Sequence, residues 1–139
     1  DFKLMNNYQK AIENSNIVSK TDINGIITFV NDEFCNLFGF TKDELIGKNH
    51  NIIRHPDTPK ENFELLWNTI LDKKVYKSTV KNISKNGEDI YLNTTIIPIL
   101  DEKEENIVEF VSSSFLKFSE LENSSLTVKS EIALLNWPT

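Results

Sequence analysis

The hydrophobic period of this 139-residue chain switches at Lys73-Lys74, and that switch limits the folds open to it. Upstream, Phe63, Leu66, Trp67, Ile70 and Leu71 fall at i, i+3, i+4, i+7 and i+8, the buried stripe of an amphipathic helix. Downstream the period is two. Tyr76, Ser78, Val80 and Asn82 share one face of a strand, and Val75, Lys77, Thr79, Lys81 and Ile83 share the other. Lys85-Asn86-Gly87-Glu88 reads as a hairpin turn, and Ile90, Leu92, Thr94, Ile96 and Ile97 as the next strand, with Pro98 near its end. Ile107 to Phe118 reads as the last long strand, after a charged, solvated loop from Asp101 to Asn106.

The first half has its own punctuation. Leu4, Met5, Tyr8, Ala11 and Ile12 recur at helical spacing and predict an opening amphipathic helix. Ile17–Lys20 and Ile26–Val30 are β-type runs, and Asn24-Gly25 between them is a tight-turn signal, because both residues tolerate positive φ. Asn31 is placed to cap a helix carrying Phe34, Cys35, Leu37 and Phe38, and Gly39 to end it. Thr41–Glu44 has capping-box spacing, as does Thr58-Pro59-Lys60-Glu61, with Pro at the first helical position. The expected fold is α+β: a five-stranded antiparallel sheet with short helices and one longer helix on one face. We expect a flanking helix over residues 1–15, a domain over 16–118 and a linker over 119–139. In that linker Leu121, Val128, Ile132 and Leu135 allow a helix.

Composition narrows function. Apolar residues make up 39% of the chain, enough for one globular core. A net charge of −6 without a basic run argues against nucleic-acid binding, because phosphate contacts need clustered Lys and Arg. No apolar run is long enough to span a membrane, no signal peptide is visible, and the chain starts at Asp1 as an excised fragment would. The single cysteine, Cys35, fits a reducing compartment, so a cytoplasmic location is expected. There is no paired-carboxylate, Ser/His/Asp or metal-ligand constellation, and an enzyme is not expected.

The chemistry gathers in Gly47-Lys48-Asn49-His50-Asn51-Ile52-Ile53-Arg54-His55-Pro56-Asp57-Thr58-Pro59. This segment holds both histidines and the sole arginine, and it runs straight into the long helix.

The order of elements and motifs resembles the PAS sensory family. Asn24–Asn31 is similar to that family's first hairpin and helix cap. Gly39-Phe40-Thr41-Lys42-Asp43-Glu44-Leu45-Ile46-Gly47-Lys48 is similar to its Gly-aromatic-Thr-x-x-Glu-Leu-x-Gly signature, and Lys85–Glu88 to its late hairpin. Asn49–Pro59, then Trp67, Val80-Lys81-Asn82 and Lys85-Asn86-Gly87, resembles more narrowly the PAS domain of Aer-type aerotaxis receptors. That resemblance implies an FAD-binding sensor of redox or oxygen status, with Arg54, His55, Asp57, Asn31 and Asn82 in the pocket and Trp67 nearby. Tyr76 stands where that subfamily often has Trp. The output implied is a chemotaxis-type domain, a histidine kinase or a cyclase elsewhere in a longer chain. Light-sensing LOV domains, also of this family, carry the adduct-forming Cys where this chain has His50, which argues against a blue-light adduct.

Each candidate has a plainer alternative. Arg54 can hold the FAD diphosphate or the reduced ring, or be a surface ion pair with Asp57 or Glu61. His55, extended before Pro56, can donate to the cofactor or be a satisfied structural histidine. His50 can face the cofactor or pack a helix. Asp57 can orient Arg54 or His55, bond a ribose, or form a turn. Asn82 is an unfavourable residue in mid-strand, which points to a used amide. Asn31 is explained by capping alone, and Trp67 by the core stripe. Two further functions stay open: a haem-based gas sensor ligated by His50 or His55, and a cofactor-free module. In the cofactor-free module the opening helix, with the last segment, would pair two copies, and a homodimer through the flanking helices is expected in general.

Overall fold

The structure, a computed structural model, describes residues 2–117. Helix α1 (Phe2–Ser15) leads into strands β1 (Ile17–Thr21) and β2 (Ile27–Val30). Helices α2 (Asp32–Phe38) and α3 (Lys42–Leu45), a 3-10 turn (His50–Ile53) and helix α4 (Lys60–Leu71) follow. Strands β3 (Tyr76–Ile83), β4 (Asp89–Leu100) and β5 (Ile107–Lys117) complete a five-stranded antiparallel sheet of order β2-β1-β5-β4-β3. The expected α+β architecture is the observed one. The C-terminal linker and the end of the last expected strand lie outside the described residues.

Because β2 and β3 are opposite edges, the segment joining them has to cross the sheet, and it carries α2, α3 and α4 over one face. The sheet contributes Ile27, Val30, Ile90 and Leu92 to the core, and the crossing segment contributes Phe34, Phe38, Leu45 and Ile53. The local signals act as read. Asn31 caps α2, accepting from the Phe34 N–H at 3.0 Å, and Gly39 ends it in the left-handed region at φ 80°. Thr41 and Glu44 close a reciprocal capping box on α3. The Lys85 N–H donates to the Phe38 carbonyl at 2.9 Å and ties the β3–β4 turn to the end of α2.

One boundary differs. The expected capping box at Thr58–Glu61 does not form: Pro59 is itself the N-cap, with extended geometry and no side-chain cap bond, and the helix begins at Lys60. The Thr58 N–H closes a turn on the His55 carbonyl at 3.1 Å, and a residue before proline is kept out of helical geometry. The apolar stripe also stops a residue early, since Leu71 is exposed.

Candidate functional site

Between α4 and the inner face of the sheet lies a cavity of about 130 Å³. Helix α4 supplies Phe63, Leu66, Trp67 and Ile70 to it, the first four residues of the apolar stripe. The sheet supplies Val80 and Asn82 from β3, Leu92, Thr94 and Ile96 from β4, and Phe110, Ser112 and Ser114 from β5. The 3-10 turn and its flanks supply Asn49, His50, Ile53 and Arg54. Four of the eight expected site residues therefore line one cavity: Arg54, Asn82, His50 and Trp67.

Arg54 and Asn82 are brought together by backbone pairing, in an isolated antiparallel bridge. The Arg54 guanidinium lies over the Phe63 ring, 3.5 Å from its centroid. No Asp or Glu among the described residues pairs with it, so the surface ion pair with Asp57 or Glu61 is not formed. Asn82 is buried, and its amide nitrogen makes only a 3.3 Å contact with the Val80 carbonyl of its own strand. The amide of Asn82 and the guanidinium of Arg54 are thus left with hydrogen-bonding capacity at the cavity.

His50 shares a 3.0 Å hydrogen bond between its Nε2 and the Ser19 hydroxyl on β1, and its ring meets Phe34 edge-on. Burial pushes its pKa down to about 4, opposed by a hydrogen bond to its own backbone, so the ring is neutral at pH 7. Trp67 stands edge-on to Phe110, and two atoms of its indole lie 3.4 Å from where a Cβ on Gly25 would be. The β1–β2 turn thus abuts the ring directly.

The other four expected residues lie elsewhere. His55 is buried at 6% exposure but does not line the cavity. Its Nδ1 accepts from the Asp57 N–H at 3.0 Å, which leaves Nε2 to donate to Asp89 at 2.8 Å. The ring therefore pins the 55–58 turn to the start of β4. Asp57 and Tyr76 line a neighbouring depression that shares Phe63, Leu66, Val80 and Lys81 with the cavity. Asn31 is spent on backbone: its Oδ1 accepts from Val18 and Phe34, and its Nδ2 donates to the carbonyls of Glu13 and Asn16.

Sequence reasoning missed the small hydroxyls. Ser19, Thr94, Ser112 and Ser114 all face the cavity, and the Ser114 hydroxyl donates to Thr94 at 3.0 Å. The signal was available: a Ser run in a long strand leaves space where larger apolar residues would fill a core.

The PAS domain family matches residues 14–116. The chain belongs to the PAS family. As a PAS domain it is a sensory module, of the kind found in signal-transduction proteins. It is 36% identical over 90 residues to the aerotaxis receptor of Escherichia coli (strain K12), covering 65% of this chain and 18% of the receptor. It is 37% identical over 81 residues to a blue-light photoreceptor of Listeria innocua, covering 58% of this chain and 32% of the relative. The PAS domain thus spans less than a third of these curated relatives. A solved light-oxygen-voltage domain studied with a flavin analogue superposes with a TM-score of 0.74 at 17% identity, covering 94% of this chain and 96% of the other. The PAS domain of a Colwellia psychrerythraea protein gives 0.74 at 17% identity, covering 82% and 97%. No helix among the described residues is long and apolar enough to cross a membrane.

The donor set suits a flavin. A flat apolar slot needs one polar edge and one cation, and the cavity has Asn82 on its β3 wall and Arg54 beside it. Ligand pockets usually span roughly 300–1,000 Å³, so an occupant of this size has to displace side chains. Arg54, exposed and stacked on half-buried Phe63, is placed to move without disturbing the core.

Proposed function

We propose that this PAS domain binds FAD and senses redox or oxygen status, within a bacterial signalling protein with a chemotaxis-type, kinase or cyclase output. The observation that carries the reading is the Arg54–Asn82 bridge at the cavity. A bound flavin supplies reversible electron uptake. Asn82 offers an amide to the pyrimidine edge. Arg54 offers a fork to a diphosphate, or a positive charge beside a reduced ring. The adjoining depression with Asp57, Tyr76 and Lys81 gives the rest of a dinucleotide somewhere to lie, which favours FAD over a mononucleotide. The likeness to an aerotaxis receptor points the same way.

Redox sensing is favoured over light sensing by the cysteine's position. Cys35 sits on α2 and does not line the cavity, and by its resemblance to the LOV flavin segment the run Gly47-Lys48-Asn49-His50 has His50 in the place of the adduct cysteine. Haem binding has less support. Both ring nitrogens of His55 are taken, and the Nε2 of His50 is held by Ser19. A cytoplasmic setting belongs to the same reading, as does pairing of two copies through α1, which exposes Leu4, Met5 and Tyr8.

The test is the colour of the purified chain after incubation with FAD, followed by chromatography of the released chromophore. A yellow protein that dithionite bleaches supports the proposal. A protein that stays colourless overturns it, and a Soret band redirects it to haem.

A further inference from the structure

We propose that the Asn31 amide is a latch through which the state of the cavity reaches the flanking helix α1, by way of His50, Ser19 and β1. The inference rests on the flavin reading and adds the regulation of that site.

The route is made of direct contacts. Inside the cavity His50 Nε2 is hydrogen-bonded to the Ser19 hydroxyl at 3.0 Å. Ser19 is fully buried on β1, so its side chain has no water to turn to when His50 shifts. The N–H of the preceding residue, Val18, donates to Asn31 Oδ1 at 3.1 Å. The same side chain reverses role at its other end, where Nδ2 donates to the Glu13 carbonyl and, at 2.6 Å, to the Asn16 carbonyl. These acceptors are the last turn of α1 and the residue joining it to β1. One buried side chain therefore grips β1, the start of α2 and the end of α1 together.

From Phe2 to Ala11 every side chain except Asn6 is exposed, and the Lys20–Glu13 ion pair at 3.3 Å also comes from β1. A displacement of β1 thus acts on α1 through both attachments. A change in charge inside the cavity also reaches His50, which lines it together with Arg54 and Asn82 and whose neutral ring accepts or donates according to what faces it. The strand is the rigid element in this route and Asn31 the coupling point.

Hydrogen exchange by mass spectrometry on the whole chain tests this. Without cofactor, Asn31→Asp keeps both acceptor bonds of Oδ1 and removes the donor. Exchange over residues 9–16 should rise about fivefold while β4 and β5 keep their protection. An unchanged rate there overturns the latch. With the chain saturated with FAD, dithionite reduction should change exchange over residues 9–16, and Ser19→Ala should abolish that change. A yellow chain whose α1 does not respond, or whose Ser19→Ala variant responds as fully as the parent, overturns the coupling alone. A chain that takes up no FAD overturns the flavin reading, and the coupling with it.

Discussion

Arg54 and Asn82 face each other in an isolated bridge that ties the end of the 3-10 turn to β3. The pairing is made by backbone, so the position of each side chain does not depend on the other's chemistry. Arg54→Ala and Asn82→Ala should each weaken FAD binding about tenfold to a hundredfold, the scale of a lost charge-assisted or buried hydrogen bond. Arg54→Lys should restore little, because a point charge cannot reproduce the fork. Titrations by flavin fluorescence quenching measure all three, and full affinity in both alanine variants would remove these residues from the site.

The neutral ring of His50 makes stability depend on pH. Its pKa falls from 6.5 to about 4 on folding, so between those values the unfolded chain binds more protons. The contribution is whole above pH 6.5 and is lost as pH falls toward 4. The loss is on the order of 2–3 kcal/mol. Urea midpoints measured across this window should fall less steeply for His50→Gln than for the parent. Parallel curves would refute the assignment.

Gly25 is held at φ 82° with the Trp67 indole over it. Gly25→Ala should cost about 1–2 kcal/mol from backbone geometry alone. The added methyl also presses on the ring, so the emission of the chain's tryptophans should shift in the same variant. A substitution that leaves both stability and emission unchanged would contradict this packing.

Helix α1 exposes Leu4, Met5 and Tyr8. If two copies pair through this face, Leu4→Asp combined with Tyr8→Asp should convert the dimer to a monomer by light scattering while the melting of the sheet stays within about 0.5 kcal/mol of the parent. A parent that is already monomeric removes the pairing.

Most of the fold was legible because its punctuation is local. Asn31, Gly39 and the Thr41–Glu44 box each act within a few residues, and the period change at Lys73-Lys74 separates α4 from β3 without help from tertiary contacts. Thr58 does not cap α4 because two signals overlap there: Pro56 and Asp57 build a turn that ends at Thr58, and Pro59 holds the residue before it out of helical geometry. The site was half legible. Arg54 and Asn82 were flagged by rarity and by a misplaced residue type, which are properties of one position. His55 carried the same kind of signal, yet its partner Asp89 lies 34 residues away, and only the crossing of the sheet decides that the ring turns from the cavity toward β4. The hydroxyls of Ser112 and Ser114 are an intermediate case: the serine run signals missing bulk in β5, and only the packing of α4 over the sheet shows that the void lies on their face.

The sheet order has a mechanical consequence. Strands β1 and β5 are neighbours, with Ile17 opposite Ser114 and Thr21 opposite Phe110. The chain therefore enters and leaves the sheet at the same end of one antiparallel pair. Tension applied between Ile17 and Lys117 loads the ladder one rung at a time, as in opening a zip, and does not shear all rungs together. Past Ser114 the end of β5 is held by β4, with Tyr91 opposite Lys117, so the same pull also bears on the first rungs of β4 and the module opens at this junction before α4 is loaded.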